Sequence, residues 1–257
     1  MAVLDINSDM GESFGAWTMG DDAAMLDVVS SANVACGFHA GDPLVMYDTV
    51  SVAKARGVAV GAHPGFRDLW GFGRRPIIGE KPDNVMKEIA YQIGALQAIA
   101  AAAGHRVTHV KTHGSLGNLA EAEDGLAGAV AAAVKAVDRE LILVCLPGNA
   151  VERAGEKAGL KLAREIYADR TYDDAGRLTS RKLANAFVHD PEEAAERVLM
   201  MLSEGAIVST SGKRIPARID TVCVHGDSPV AVAMARTLRA RLEAAGVAIR
   251  PFATTLG

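Results

Sequence analysis

The polar side of the strands is the feature that most limits how this chain can fold. Residues 3–9, VLDINSD, place Leu4 and Ile6 on one side and Asp5, Asn7 and Asp9 on the other. Residues 107–113, VTHVKTH, place His109, Lys111 and His113 opposite Val110, and residues 221–226, TVCVHG, begin a side carrying His225 and Asp227 opposite Val222 and Val224. Strand-like runs near 3–9, 32–36, 58–63, 107–113, 141–146, 161–167 and 221–226 alternate with helical stretches near 21–30, 43–56, 83–103, 119–137, 149–158, 191–203 and 229–245. That alternation predicts βαβ units and a parallel sheet. In an open doubly wound sheet helices cover both faces, so both sides of each strand would be apolar. Here one side is polar and must point into an enclosed interior. The expectation is an α/β fold: a seven-stranded, TIM-barrel-like (β/α) barrel with a partly polar lumen.

The punctuation agrees. Asp42-Pro43, Asp190-Pro191 and Ser228-Pro229 each set a capping side chain before a proline at the first helical position, with Glu193 completing a capping-box spacing. Gly57, Gly104 and Gly159 end helices. Residues 171–220 break the rhythm with a polar excursion, a helix and a hairpin turning at Ser211-Gly212. No linker or repeat divides the 257 residues, so 1–257 reads as a single barrel domain with this irregular insertion.

Composition excludes some functions. A net charge of −4 provides no basic surface for nucleic acid, and 5% aromatic residues weigh against stacking platforms. Cys36, Cys145 and Cys223 sit in apolar runs without CxxC spacing and read as small buried hydrophobes. Neither a secretory leader nor an apolar run of about 18 residues is evident, which predicts a cytoplasmic protein without membrane attachment. A P-loop requires GxxxxGK[ST]; GAIVSTSGKR has the wrong spacing, ends on Arg214 and lies in the hairpin, so it is rejected.

In a β/α barrel the reactive groups gather at the C-terminal ends of the strands. Those ends carry Asp9 and Glu12, His39, His63, Lys111 and His113, Arg170, and His225 with Asp227, mostly beside glycine. Asp9, His39, His63, Lys111 and His113 are the catalytic candidates. Asn7, Glu12, Asn33, Arg67, Arg170, His225 and Asp227 are the substrate-contacting candidates. Asp42 is accounted for by helix capping. Asp5 lies roughly 13 Å below Asp9 at the rise of a strand; a carboxylate that deep calls for a cationic partner, expected to be Lys111 or His109. Asp9, His39 and His63 are of metal-ligand type, but no short ligand spacing accompanies them, so the metal stays open.

DINSDMGESFG, SANVACGFHAGDP, GAHPGFRD, VKTHGSLGN, REIYADRTYDDAGRL and VHGDSP, in this order, resemble the LamB/YcsF family from Asp5 to about Pro229. The departures are Thr112, Ser115 and Gly117, where the family motif VKPHGALYN has proline, alanine and tyrosine. The resemblance implies a seven-stranded barrel related to the glycoside hydrolase/deacetylase superfamily. It also implies the A component of a prokaryotic 5-oxoprolinase, working with subunits B and C and with ATP as co-substrate of the complex. On that reading the amide oxygen of 5-oxoproline is phosphorylated and this chain directs water onto the ring carbon. Asp9, His39 or His63 would act as general base, Lys111 and His113 would stabilise the developing negative charge, and Arg170 would hold the carboxylate. The rivals are a metal-dependent deacetylase or amidohydrolase acting alone, and a lactam-binding component without catalysis.

Overall fold

The computed structural model describes residues 2–225 and 229–256. Strands β1 (Val3–Met10), β2 (Ser31–Ala35), β3 (Ala59–His63), β4 (Val107–Val110), β5 (Ile142–Cys145) and β6 (Leu162–Tyr167) run parallel as neighbours. An antiparallel hairpin, β7 (Ala206–Val208) and β8 (Arg214–Pro216), stands apart. β9 (Thr221–Cys223) then pairs with both β6 and β1 and closes a seven-stranded barrel. A short strand, β10 (Ala248–Ile249), which the sequence pattern does not predict, adds to the bottom of β1 at Val3 and Leu4.

Helices α1 (Asp22–Leu26), α2 (Pro43–Ala55), α3 (Pro82–Ala102), α4 (Gly114–Ala122), α5 (Asp124–Val137), α6 (Ala150–Ala158), α7 (Pro191–Glu204) and α8 (Pro229–Ala244) lie around it. Asp42 caps α2 by accepting from Leu44 N and Val45 N, and Asp190 caps α7 by accepting from Glu193 N, as the prolines predict. The cap expected at Ser228 lies outside the described residues. The single helix expected over 119–137 is two. Glu123 takes an extended conformation (φ −118°, ψ 112°) between α4 and α5, and α4 starts earlier, at Gly114. The run reads as continuous in sequence because its alanines suit any helix.

The outer side of the strands makes the main core. Leu4, Ile6, Val34, Val60, Val110, Leu143, Ile166 and Val222 pack with Val50, Ile89, Ile93, Val130, Val198 and Leu238 from the helices, all essentially buried. Each such side chain contributes about 1.5–3 kcal/mol of burial. The inner side is polar on β1, β2, β4, β6 and β9 but apolar on β5, where Ile142 and Val144 meet Ala163 and Phe252 at the bottom. Gly61 on β3 supplies the room this requires: a Cβ there would sit 2.1–2.5 Å from the His109 ring, which fills the space inside β3.

Candidate functional site

The deepest polar layer is built from hydroxyls. Asp5, 1% exposed, accepts from Ser30 Oγ (2.8 Å), Ser31 Oγ (2.6 Å) and Thr221 Oγ1 (2.5 Å). The cation expected beside it is not there: Lys111 pairs higher up, and His109 is uncharged. Three hydroxyls replace the counter-ion, and burial outweighs them, so the Asp5 carboxyl is pushed up to about 6. His109 gives Nε2–H to Asn33 Oδ1 (3.1 Å) and faces the Thr108 hydroxyl through Nδ1 (2.9 Å). Burial, with Lys111 and His63 nearby, lowers its pKa to about 3.

Above this layer, Asn7 donates to Glu165 (2.9 Å) and Thr221 (2.7 Å), while Asn33 donates to Asn7 Oδ1 (2.7 Å) and Asp9 Oδ1 (2.9 Å). Both amides, read in the sequence as substrate contacts, are fully buried beneath the cavity and tied into the lumen network. The Lys111 ammonium is the hub. It meets Glu165 Oε1 at 2.8 Å, Asp9 Oδ1 at 3.1 Å, Cys223 Sγ at 3.1 Å and Asn7 Oδ1 at 3.3 Å. Burial alone would lower its pKa; the Asp9 carboxylate, with Cys223 and Glu165, holds it well above the ordinary lysine value.

Lys111 and His113 fall just past β4, in extended backbone that continues the ladder through Lys111 N to Ala62 O and His113 N to Pro64 O (both 2.9 Å). Each histidine is then oriented by a carbonyl. His63 Nδ1–H donates to Lys111 O (2.8 Å), aiming Nε2 at Asp9 Oδ2 (3.3 Å) and His113 Nδ1 (3.0 Å). His113 Nε2–H donates to Phe72 O (2.8 Å), leaving Nδ1 towards Glu12 Oε1 (3.3 Å). Phe72 presents that carbonyl from a left-handed conformation (φ 54°), a strain of the kind that persists only where surroundings enforce it. The adjoining Gly73 (φ 61°) is equally constrained, since a Cβ there would lie 2.8 Å from the His113 ring. His39 stacks on His113, with ring centroids 3.7 Å apart.

Charge divides sharply among these groups. Burial opposes ionisation of Asp9, but His63 and Lys111 beside it hold its carboxyl well below the usual range. Burial also opposes the His63 imidazolium, yet Asp9 raises that pKa above the ordinary value. His39 and His113 are driven well down, first by burial and then by neighbouring imidazoles. Asp9 and His63 thus rest as an ion pair beside two neutral rings.

A cavity of about 690 Å³, counting its open mouth, lies over Asp9, His63, Lys111 and His113. Its far wall carries Tyr167, Arg170 and His225. His225 Nδ1–H donates to Asp169 (2.6 Å), and the Arg170 guanidinium is braced by Thr179 O (2.6 Å) and Ala186 O (3.2 Å). Arg67 is not part of the site: it pairs with Glu88, lies over the Phe38 ring and does not line the cavity. Its loop follows β3, but the side chain turns outward. Asp227 lies outside the described residues. Sequence reasoning misses Glu165, Tyr167, Arg74, Glu121, Asp169 and Arg181. Glu165 and Tyr167 carry a signal, because they alternate on β6 as Asp5, Asn7 and Asp9 do on β1. The others come from helix and loop positions with no strand periodicity to mark them.

One metal-ligand type of arrangement stands out among the described residues. Glu12, His39, His63 and His113 each bring a donor atom within 4.8 Å of the others. Both His39 nitrogens and Glu12 Oε1 are buried without a hydrogen-bond partner. The neutral His39 and His113 rings and the Glu12 carboxyl fit a divalent transition cation, and His63 can join them once its Nε2 proton is given up.

The fold and site define a class: a closed β/α-barrel protein whose polar lumen opens into a histidine–carboxylate cavity. Residues 4–257 match the LamB/YcsF family, and the chain belongs to it. It is 57% identical over 252 residues to the A component of the 5-oxoprolinase of Rhodopseudomonas palustris, covering 98% of this chain and 99% of that protein. It is also 57% identical over 252 residues to the 5-oxoprolinase A component numbered 2 of Bradyrhizobium diazoefficiens, covering 98% of each. The crystal structure of a lactam utilization protein from Thermus thermophilus superposes with a TM-score of 0.92 at 46% identity, over 97% of this chain and 99% of that one. A putative cellobiose-phosphate cleavage protein from Enterococcus faecalis, 13% identical with a TM-score of 0.56, covers 100% of this chain and 99% of its own and shares the fold alone.

Proposed function

We propose that this chain is the A component of an ATP-dependent 5-oxoprolinase and opens the ring of 5-oxo-L-proline to L-glutamate. Subunits B and C and ATP would activate the amide, whose resonance otherwise makes it a poor electrophile. The observation that carries this reading is the Asp9–His63 ion pair at the floor of a cavity (3.3 Å), in a chain so similar to proteins of that name.

In this reading Asp9 takes the proton of the attacking water, with the His63 imidazolium beside it stabilising the charges that change hands. Lys111 has its donors occupied by Asp9, Glu165, Asn7 and Cys223, so it fixes the floor's charge and keeps Asp9 ionised. The neutral His113 has its N–H given to Phe72 O and supplies no donor to an oxyanion. Arg170, with Arg74 and Arg181 on the same cavity, attracts the substrate carboxylate.

Glu12, His39 and His113, joined by His63 in place of its imidazolium role once Nε2 is deprotonated, would hold a divalent cation, which when bound supplies Lewis-acid polarisation of an oxygen. This donor set favours one second reading, a metal-dependent amidohydrolase acting without ATP. The deciding experiment is reconstitution with subunits B and C and assay of 5-oxoproline opening. Turnover is expected only with all three chains and ATP, and Asp9→Asn should cut it at least about 100-fold. Undiminished turnover by Asp9→Asn removes Asp9 from the mechanism; ATP-independent turnover by this chain alone favours the second reading.

A further inference from the structure

Glu121 lies on α4, half-buried, and lines the same cavity as Asp9. Among the described residues its carboxyl makes no hydrogen bond or ion pair, and the mechanism above leaves it unused. Its neighbours explain its state. Lys111 faces it from the end of β4, but that ammonium is already shared between Asp9 and Glu165. Arg170 faces it from the loop after β6, with its guanidinium braced by two carbonyls. Glu165 faces it from β6 as a like charge. Asp9, Arg74, Arg181 and His225 line the same cavity. Lys111 and Arg170 pull its pKa down, but burial, then Glu165, outweighs them and pushes the Glu121 carboxyl up to about 8. At neutral pH it keeps its proton and offers one donor and one acceptor to the cavity.

A ring amide has the matching edge. Closure of a lactam forces the amide cis, so its N–H and C=O point the same way, whereas an open-chain trans amide points them apart. We propose that Glu121 is a specificity-determining residue for cyclic amides, its carboxyl pairing with the N–H and C=O on the single edge of a lactam. The O–H donates to the ring carbonyl while the carboxyl C=O accepts from the ring N–H. Once the carbonyl oxygen carries an activating group, the ring nitrogen becomes a bare acceptor, and the same O–H serves it. A carboxylate would still accept from the ring N–H but would repel the carbonyl oxygen and the bare ring nitrogen. This inference rests on the lactam-opening function proposed above and adds the means by which the ring is selected.

The test is kcat/KM for 5-oxoproline in the reconstituted three-component enzyme from pH 6.5 to 9.5, for wild type, Glu121→Ala and Glu121→Gln. Glu121→Ala should lose about 5- to 150-fold, the worth of a buried hydrogen-bonding partner. Glu121→Gln, whose amide also offers a donor and an acceptor, should recover most of that loss and lessen the fall that wild type shows as pH rises through about 8, leaving the part that belongs to the His63 imidazolium. As inhibitors, 2-pyrrolidinone should outperform N-methyl-2-pyrrolidinone against wild type, and the difference should vanish in Glu121→Ala. An unchanged kcat/KM in Glu121→Ala, or an alkaline fall of undiminished size in Glu121→Gln, overturns the proposal; if the alanine variant does not fold, Glu121→Leu takes its place in the kinetic and inhibitor comparisons. Absence of wild-type turnover overturns the lactam-opening function itself, and this inference with it.

Discussion

The His39 and His113 rings lie face to face, 3.7 Å between centroids and 3° from parallel. Two imidazoles so placed resist becoming imidazolium together, and burial with the neighbouring imidazoles holds both well below the usual value of 6.5. The pair therefore presents lone pairs, not charge, at neutral pH. Zn²⁺, Mn²⁺ or Co²⁺ added to the purified chain is expected to raise its thermal midpoint and to be recovered by elemental analysis. His39→Ala should weaken retention, by an order of magnitude or more. Equal retention by the variant would remove His39 from the donor set.

The same stack predicts acid sensitivity without metal. Histidines with depressed folded pKa values stabilise the fold fully above the unfolded value and progressively less as pH falls through it. The metal-free chain should lose stability below about pH 6.5, and His39→Gln should flatten that loss. His63, raised by Asp9, acts in the opposite sense and moderates the slope. Denaturant titrations at pH 5 and 7.5 measure both.

Lys111 joins two carboxylates that would otherwise repel each other. Lys111→Met should cost about 3–5 kcal/mol, because Asp9 and Glu165 are left buried without their cation. Adding Glu165→Gln should restore part of this. Strict additivity in the double-mutant cycle would mean that Lys111 and Glu165 are not coupled.

Asp5 gives a pH signature of the other sign. With its folded pKa at about 6 against 3.8, the native chain binds the extra proton between those values. Stability therefore falls as pH rises across that window, by roughly 3 kcal/mol from this group. Asp5→Asn should remove that component without loss at pH 7, whereas Asp5→Ala should destabilise by depriving the Ser31 and Thr221 hydroxyls of their acceptor.

Gly61→Ala probes the packed lumen. The new methyl would collide with the His109 ring, and a cost of about 1–3 kcal/mol or more is expected by chemical denaturation. His109→Ala in the same chain should relieve much of it.

The barrel is legible in the sequence because period-two alternation on β1, β4 and β9 already separates a polar side from an apolar one, and only an enclosed interior explains that. The same alternation places Asp9, Lys111 and His113 at one mouth, where the cavity lies. It does not show what partners each group takes. Asp5 reads as needing a cation because sequence gives depth along a strand but not the hydroxyls of Ser30, Ser31 and Thr221 brought in from β1's neighbours. Arg67 is placed by its loop, and a loop position does not say which way a long side chain turns. Phe72, which orients His113 through a backbone carbonyl, carries no side-chain signal of that role. The β4 exit motif announces Lys111 and His113, but Glu121 on the following helix shows itself only once α4 is seen to begin at Gly114.

Phe252 has its own consequence. Its ring, 1% exposed, sits against His109 at the bottom of the lumen with Ile142, Val144 and Ala163, just after β10 joins the foot of β1. The cylinder is stoppered there and works as a cul-de-sac, not a conduit. On the proposed function, product and substrate share one mouth, and a spent product would block the next arrival until it backs out.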